Sequence, residues 1–383
     1  MYLKDTKIRN SKRGAKWNNY ADSIIPAWVA DMDFPVAHEI SEAIIDQVRA
    51  SDLGYPLAIE DSDLPEIFCQ RVLDRFSWNI SPKEVLSLTD VVQGLYQSIF
   101  TFSNKGDGVI IQTPIYPPFL QSVHEMERRA IINPLKLLDS RYVIDFEDLN
   151  YCLEQKPKVL MLCNPHNPCG CVLRREELEK LAEFACRHDL LVLSDEIHAD
   201  LILDEQPHIP IASIDPEIAA RTITFMSASK SFNIAGLCLS FTHFGDKKLL
   251  ESFKNLPRHI SGSHNTLSLT AVETAWTKSQ KWLSEVLEQL KTNRFELKNF
   301  VDENWPNAKY YPGEATYLAW IDMRSIGPGE NMAVHFLEQG KVALSEGEMF
   351  GKVGSGFVRL NFATSPEILS EILSRMDRVI RGF

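Results

Sequence analysis

Short apolar runs alternate with helical patterns between about residue 85 and about residue 242. Several of the runs are apolar throughout, which is typical of strands covered on both faces. The strand candidates are Gly108–Gln112, Ala130–Asn133, Lys158–Cys163, Leu190–Ser194, Thr222–Met226 and Leu237–Phe241. Between two of them, Arg174–His188 places its apolar residues on one helical stripe. This repetition predicts an α/β fold with a mainly parallel, doubly wound sheet.

The pattern changes beyond residue 280. Trp282–Phe300 has helical periodicity, and Thr316–Ile321 and Phe357–Phe362 are strand candidates. These elements predict a smaller α+β domain, against which we expect the first 45 residues to pack. The chain has 383 residues, which is more than one ordinary core requires. We therefore expect a large domain over residues 46–289 and a discontinuous small domain over residues 1–45 and 290–383.

The composition is that of a soluble globular protein, with 44% apolar and 24% charged residues. A net charge of −12 disfavours binding to nucleic acid or anionic membranes. Met1–Asn10 lacks the apolar core of a secretory signal, and no apolar run approaches the roughly 20 residues that span a bilayer. Seven cysteines, an odd number, fit a reducing compartment, so we expect a cytoplasmic protein. We expect no metal site, because Cys169 and Cys171 lack the spacing of zinc or redox motifs.

Polar residues follow three successive strand candidates. Asn164–Gly170, Ser194–His198 and Ser227–Lys230 each begin where an apolar run ends. Any one of these segments alone could be an ordinary turn or helix cap. Ligands of doubly wound sheets bind at the carboxyl ends of the strands, so we expect the three segments to share one site.

Together these segments hold the groups that pyridoxal phosphate requires. Lys230 follows an apolar run and lies among small hydroxyl residues, where its amine can form a Schiff base with an aldehyde. Asp195 can keep the pyridine nitrogen protonated, so that the ring draws electrons from the substrate. Asn167 and His198 can hydrogen-bond the phenolate oxygen of the ring. For His198, a satisfied buried histidine without that role remains an alternative.

The chain also resembles a known family. The segments that carry the resemblance are Trp28–Phe34, Asn164–Gly170, Asp195–His198, Lys230–Leu237 and Gly356–Phe362. They resemble the fold type I pyridoxal phosphate enzymes of the class I and II aminotransferase superfamily, from about residue 25 to the C-terminus. Within that superfamily the chain is most similar to the C–S β-lyases of the MalY/PatB type. The resemblance implies a seven-stranded sheet in the large domain, pyridoxal 5'-phosphate as cofactor, and a homodimer with shared active sites.

The resemblance implies roles for individual residues, with Lys230 as the catalytic lysine. The implied cofactor contacts are Asp195, Asn167, His198, Tyr116, Val91, Val92, Ser227 and Tyr55, and the implied substrate contacts are Arg359, Ala30 and Asp31. Tyr116 is similar to the aromatic residue that stacks on the ring, and Tyr55 to the tyrosine that reaches the phosphate of the neighbouring subunit. Arg359 matches the arginine that holds the substrate α-carboxylate, for which a planar guanidinium suits bidentate pairing.

Plainer interpretations of three of these residues remain open. Tyr116 could be turn packing, Tyr55 a core or ordinary dimer contact, and Arg359 a structural ion pair.

Two positions depart from the family pattern. Cys238 stands where many relatives have an arginine that serves the phosphate, and Asp90 where relatives often have glycine or serine. A carboxylate beside a phosphate would repel it, so we expect Asp90 to point away or to cap the helix.

The resemblance favours α,β-elimination over transamination. It implies cleavage of L-cystathionine or related S-substituted cysteines to a thiol, pyruvate and ammonia. An aminotransferase is the first alternative, because both reactions use the same base and the same electron sink. A cofactor-bearing regulator or partner-binding protein is the second, although Lys230 and Asp195 are both present. The sequence does not specify which thioether is preferred.

Overall fold

The computed structural model describes residues 13–383, apart from the side chains of Arg258 and His259. Its strands are β1 Ile25–Pro26, β2 Val85–Leu88, β3 Gly108–Thr113, β4 Arg129–Pro134, β5 Lys136–Leu138, β6 Arg141–Val143, β7 Pro157–Cys163, β8 Leu191–Asp195, β9 Thr222–Met226, β10 Ser240–Phe244, β11 Lys309–Tyr310, β12 Leu318–Asp322, β13 Val342–Ala343, β14 Ser345–Glu346 and β15 Phe357–Asn361.

Its helices are α1 Ala15–Asn18, α2 His38–Arg49, α3 Leu64–Phe76, α4 Val91–Phe102, α5 Pro117–Glu125, α6 Phe146–Cys152, α7 Arg175–Arg187, α8 Pro216–Ala219, α9 Lys247–Lys254, α10 Thr266–Lys278, α11 Gln280–Asn304, α12 Met332–Glu338 and α13 Pro366–Ile380. Of the described residues, none form a helix that is both long enough and apolar enough to span a membrane.

The central sheet has seven strands in the order β2-β10-β9-β8-β7-β3-β4, which confirms the α/β fold and the strand number implied by the resemblance. Strands β9, β8, β7, β3 and β4 run parallel, while β10 pairs antiparallel with both β9 and β2. Every residue of β3 and β9 is buried, as expected for strands covered on both faces. Helix α7 buries the apolar stripe that the sequence predicts, including Leu178 and Leu181.

One strand prediction was three residues early. The sequence predicts a strand over Leu237–Phe241, whereas Ala235–Leu237 form a 3₁₀ turn and the strand begins at Ser240. Between them, Cys238 has a φ of 54°, in the left-handed region that no strand residue adopts. The apolar run therefore covers a turn as well as a strand.

A second, antiparallel sheet has the order β11-β12-β15-β14. The N-terminal segment joins this region, because β1 pairs parallel with β13 and Asn361 N–H donates to Ala27 O at 2.8 Å. The same segment also contacts the loop after β9, where Asn233 Nδ2 donates to Met32 O at 3.1 Å and to Phe34 O at 2.9 Å. The expected domain boundaries therefore stay a prediction, and residues 1–12 of the expected small domain lie outside the described residues.

Candidate active site

A cavity of about 360 Å³ lies at the carboxyl ends of β7, β8 and β9, and residues of β14 and β15 also line it. The structure brings most of the predicted site residues together there. Those that line the cavity are Ala30, Val91, Val92, Tyr116, Asn167, Asp195, His198, Ser227, Lys230 and Arg359. This is the edge of a parallel sheet where ligands are expected to bind.

Lys230 lies in the turn that follows the fully buried strand β9. Its Nζ donates to Ala30 O at 3.0 Å, and the Tyr317 hydroxyl donates to the same oxygen at 3.2 Å. Burial lowers the pKa of Lys230, and the Arg359 charge lowers it further, whereas Asp31 and Asp195 oppose the shift. Because its pKa is lowered, the Lys230 amine loses its proton at a lower pH than an exposed lysine does. A nucleophile or a base requires the neutral form of the amine.

Asp195 is the last residue of β8, and its carboxyl group is buried. Oδ1 accepts a hydrogen bond from Ile197 N–H at 3.0 Å. Burial, supported by the nearby Glu196, raises the pKa of Asp195 to about 7, although the Ile197 N–H and Lys230 oppose the shift. A carboxylate in such a place is stabilised when a cation contacts it. The protonated nitrogen of a pyridine ring fits this requirement.

Arg359 lies in the middle of β15 and is buried. Its Nη1 donates to Asn167 Oδ1 at 3.0 Å, and its Nη2 donates to Trp28 O at 2.7 Å and to Ser345 Oγ at 3.2 Å. The guanidinium also lies 4.8 Å from the centre of the Phe350 ring.

No carboxylate among residues 13–383 forms an ion pair with Arg359, which disfavours the structural ion pair that the sequence left open. Its Nε has no hydrogen-bond partner among those residues. Burial lowers the pKa of Arg359 to about 10, so the group is still a cation near neutral pH. Such a charge is ready to bind a carboxylate.

Asn167 and His198 occupy neighbouring walls of the cavity. Because Arg359 donates to Asn167 Oδ1, the amide group of Asn167 is oriented with its NH₂ group left to donate. Burial lowers the pKa of His198 to about 3, and the Lys230 and Arg359 charges act in the same direction, so its ring is neutral. His198 Nδ1 is buried without a partner among the described residues, unlike a satisfied core histidine.

The first turn of α4 also lines the cavity. Val91 and Val92 are its first two residues, and helix N-termini of this kind favour anions. Asp90 caps the helix, because Oδ1 accepts from Gln93 N–H at 2.8 Å, as expected for one of its two predicted roles. The Ser227 hydroxyl donates to Leu239 O at 2.7 Å and accepts from Ser229 N–H at 3.0 Å. Ser227 would have to rotate its hydroxyl to donate to a phosphate.

The three remaining residues of interest differ in where they lie relative to the cavity. Tyr116 precedes α5 and lines the cavity. Asp31 does not line it, although its charge acts on Lys230. Tyr55 is fully exposed and lines a separate open groove with residues 261–267. Within one chain, Tyr55 therefore contributes nothing to the cavity.

Sequence reasoning missed four residues that support the site, namely Tyr317, Ser345, Phe350 and Asn361. Tyr317 and Ser345 donate to the backbone oxygens of Ala30 and Trp28. Of these four, only Asn361 could have been found from the sequence. It lies two residues after Arg359 and therefore on the same face of a strand. Among residues 13–383 there is no cluster of three or more potential metal ligands.

Known proteins resemble this chain over nearly its whole length. Cystathionine beta-lyase PatB of Bacillus subtilis is 34% identical over 97% of this chain and 98% of that protein. The structure of cystalysin from Treponema denticola, which contains a pyridoxal 5'-phosphate cofactor, is 32% identical with a TM-score of 0.93, covering 100% of this chain and 99% of that one. The PLP-bound C-S lyase from Staphylococcus hominis is 30% identical with a TM-score of 0.90, covering 96% of both chains.

The family described as "Aminotransferase class I and II" matches residues 29–376. That range includes every residue that lines the cavity except Trp28. The chain belongs to the class I and II aminotransferase family.

Proposed function

We propose that this protein is a pyridoxal phosphate-dependent C–S β-lyase that cleaves L-cystathionine or related S-substituted cysteines to a thiol, pyruvate and ammonia. The observation that carries the proposal is the convergence of one amine, one buried carboxyl group and one buried guanidinium in a single cavity. They belong to Lys230, Asp195 and Arg359. The C–S lyase names of the relatives favour elimination over the other reactions of the family.

The residues present fit pyridoxal phosphate. Asp195 would contact the ring nitrogen, and the NH₂ group of Asn167 and the neutral His198 would donate to the ring oxygen. The first-turn amides of α4 would hold the phosphate, with Ser227 beside them. When bound, the cofactor supplies an electron sink that stabilises negative charge on the substrate's α-carbon.

The protein's own groups supply orientation and proton transfer. Arg359 would hold the substrate α-carboxylate, because it is a buried cation without a carboxylate partner among the described residues. The Lys230 amine, whose pKa is lowered by burial, would accept the α-proton in its neutral form. Ala30 O accepts an N–H of that amine at 3.0 Å and so restricts where its lone pair points.

The active unit in this proposal is a homodimer in the cytoplasm. Tyr55 supports the dimer, because a fully exposed tyrosine on an open groove is free to reach a second subunit. Leu53 and Leu57, on either side of it, are also more than half exposed. An exposed apolar surface of this kind is typical of interfaces. The proposed domains remain residues 46–289 and residues 1–45 with 290–383.

The product assay tests the reaction. Purified protein supplied with pyridoxal phosphate and L-cystathionine should release pyruvate with no keto acid added, measured by coupling to lactate dehydrogenase. Lys230→Ala is the control and should release none. A panel of S-alkyl cysteines would rank the thioethers.

The family to which the chain belongs also supports an aminotransferase as second candidate. That reaction requires an added keto acid as amino acceptor. If the amino acid is consumed only when a keto acid is supplied, the lyase proposal is wrong and the aminotransferase is correct.

A further inference from the structure

A short bent segment, Trp28–Asp31, contacts both cations of the cavity through its backbone, and we call it the strap. Trp28 O accepts from Arg359 Nη2 at 2.7 Å, and Ala30 O accepts from Lys230 Nζ at 3.0 Å. The strap turns at Ala30, because Asp31 N–H donates to Val29 O at 2.9 Å, so neighbouring carbonyls of the strap are linked through one rigid turn. The positions of Trp28 O and Ala30 O therefore depend on what holds the carbonyls between and beyond them.

One side chain donates to both of those other carbonyls. Asn361 Nδ2 donates to Val29 O at 2.7 Å and to Asp31 O at 2.6 Å. Its Oδ1 accepts from Ala363 N–H at 2.8 Å, which fixes the orientation of the amide. Both amide hydrogens are thus used on the strap, and the residue is only 1% exposed.

The contacts of Asn361 are confined to the backbone. The strap is not a strand of either large sheet, so it lacks the regular ladder of hydrogen bonds that fixes the carbonyls of a strand. A buried amide that is fully hydrogen-bonded fixes its partners, whereas an apolar side chain would remove both of these hydrogen bonds. Val29 O would then keep only the Asp31 N–H of the turn, 2.9 Å away. Lys16 Nζ, at 2.9 Å from Asp31 O, is a second support at one end of the strap only.

We propose that Asn361 is a positioning residue for Lys230 and Arg359, acting through the strap. It lies two residues from Arg359 on β15, so one strand carries both the group that binds the substrate and the group that aligns it. The proposal rests on the function proposed above, because it assigns the two cations their roles in that reaction.

Asn361→Leu tests this assignment, with Asn293→Leu as its matched control. Asn293 is 0% exposed, and its Nδ2 likewise donates to two alternate carbonyls, Phe362 O and Thr364 O, both at 2.8 Å. It makes no contact with the strap in the structure. The two variants should lose similar thermal stability, so stability does not distinguish them.

The visible absorbance of the pyridoxal phosphate-loaded protein is titrated with pH. The midpoint of that titration gives the pKa of the Lys230 nitrogen. A carbonyl that accepts from the lysine nitrogen stabilises its protonated form, so weakening that contact lowers the pKa. In Asn361→Leu the midpoint should move down by roughly 0.4 to 1 pH unit, as for the loss of one hydrogen bond. The variant should also raise KM and lower kcat for S-substituted cysteines, about tenfold or more together in kcat/KM. In Asn293→Leu none of these quantities should change by more than about twofold.

The two variants distinguish a positioning role of Asn361 from a structural one. If Asn361→Leu keeps the wild-type midpoint and kcat/KM, or if Asn293→Leu changes them equally, Asn361 is merely structural and the inference fails. If Asn361→Leu does not fold, Asn361→Ser, which is small and retains a hydroxyl donor, is measured by the same criteria. Wild-type protein that develops no visible band with pyridoxal phosphate would instead overturn the proposed function and, with it, this assignment.

Discussion

At the scale of single residues, the cavity disfavours charge on its own polar groups. Burial lowers the pKa of Lys230, His198 and Arg359 and raises that of Asp195. A site of this kind is less stable empty than it would be with neutral side chains, because desolvation favours the uncharged forms. The groups become useful when a bound molecule brings the opposite charge.

Asp195→Asn should separate stability from function. The pKa of Asp195 is near 3.8 in an unfolded chain and about 7 in the folded one, so the folded chain holds its proton more tightly. Stability of the cofactor-free protein therefore falls as pH rises from about 4 to about 7. Asp195→Asn has no carboxyl group to ionise and therefore does not lose this stability. It should melt at a higher temperature than wild type at about pH 8, and the difference should vanish near pH 4.

The same variant should lose several orders of magnitude in turnover, because a neutral amide cannot keep the pyridine nitrogen charged. Thermal melts and pyruvate release measure the two effects separately. Near wild-type turnover would show that another group supplies the counter-charge.

Arg359→Lys should affect every amino acid substrate alike. Lysine keeps the charge but loses the planar fork, and the change suggests a cost of about 2–3 kcal/mol, or a loss of roughly 30- to 150-fold in kcat/KM. Steady-state kinetics on cystathionine, cystine and a simple S-alkyl cysteine would measure it. A loss that depends on the leaving group would place Arg359 at the distal end of the substrate instead.

At the scale of elements, α4 is the helix whose first turn lines the cavity and is the proposed phosphate site. Its cap is Asp90, and the hydrogen bond to Gln93 N–H gives this carboxylate a role beside the proposed anion site. The side chain satisfies one backbone donor of the first turn, while other first-turn amides remain available.

Replacing Asp90 in two ways should separate its cap from its charge. Asp90→Ala removes both and should cost about 0.5–2 kcal/mol of stability, measured by urea unfolding. Asp90→Asn keeps a capping oxygen and should cost little. Because it removes a negative charge near the phosphate, Asp90→Asn should also bind pyridoxal phosphate more tightly than wild type. Unchanged or weaker cofactor binding in Asp90→Asn would contradict the expected repulsion between this carboxylate and the phosphate.

At the scale of the whole molecule, one chain does not bring Tyr55 to the cavity. If the active unit is a dimer with shared sites, Lys230→Ala mixed with Tyr55→Phe should recover activity that neither variant has alone. Random exchange makes half of the dimers mixed, each with one complete site, so roughly a quarter of wild-type activity is expected. Pyruvate release after subunit exchange measures it. No recovery despite exchange would mean that each site is built from one chain.

The amino-acid sequence by itself determined the architecture and the chemical groups of the site. Uniform apolar runs such as Leu190–Leu193 predict buried parallel strands, and the polar residues that follow them predict a site, because both signals are local. The resemblance supplied the seventh strand, which the structure confirms, and a role for Tyr55 at a partner subunit, which stays a prediction. Local pattern failed at Leu237–Phe241, where a left-handed residue interrupts an apolar run without changing its hydrophobicity.

Only the tertiary structure decided how the groups are held. Arg359 and Trp28 are 331 residues apart in the chain, and Asn361 and Val29 are 332 apart, so no local periodicity relates them. Their contacts are side chain to backbone, and a carbonyl oxygen has the same chemistry whichever residue carries it. The sequence therefore indicates which side chains could react, whereas the folded chain alone determines which backbone oxygens meet them.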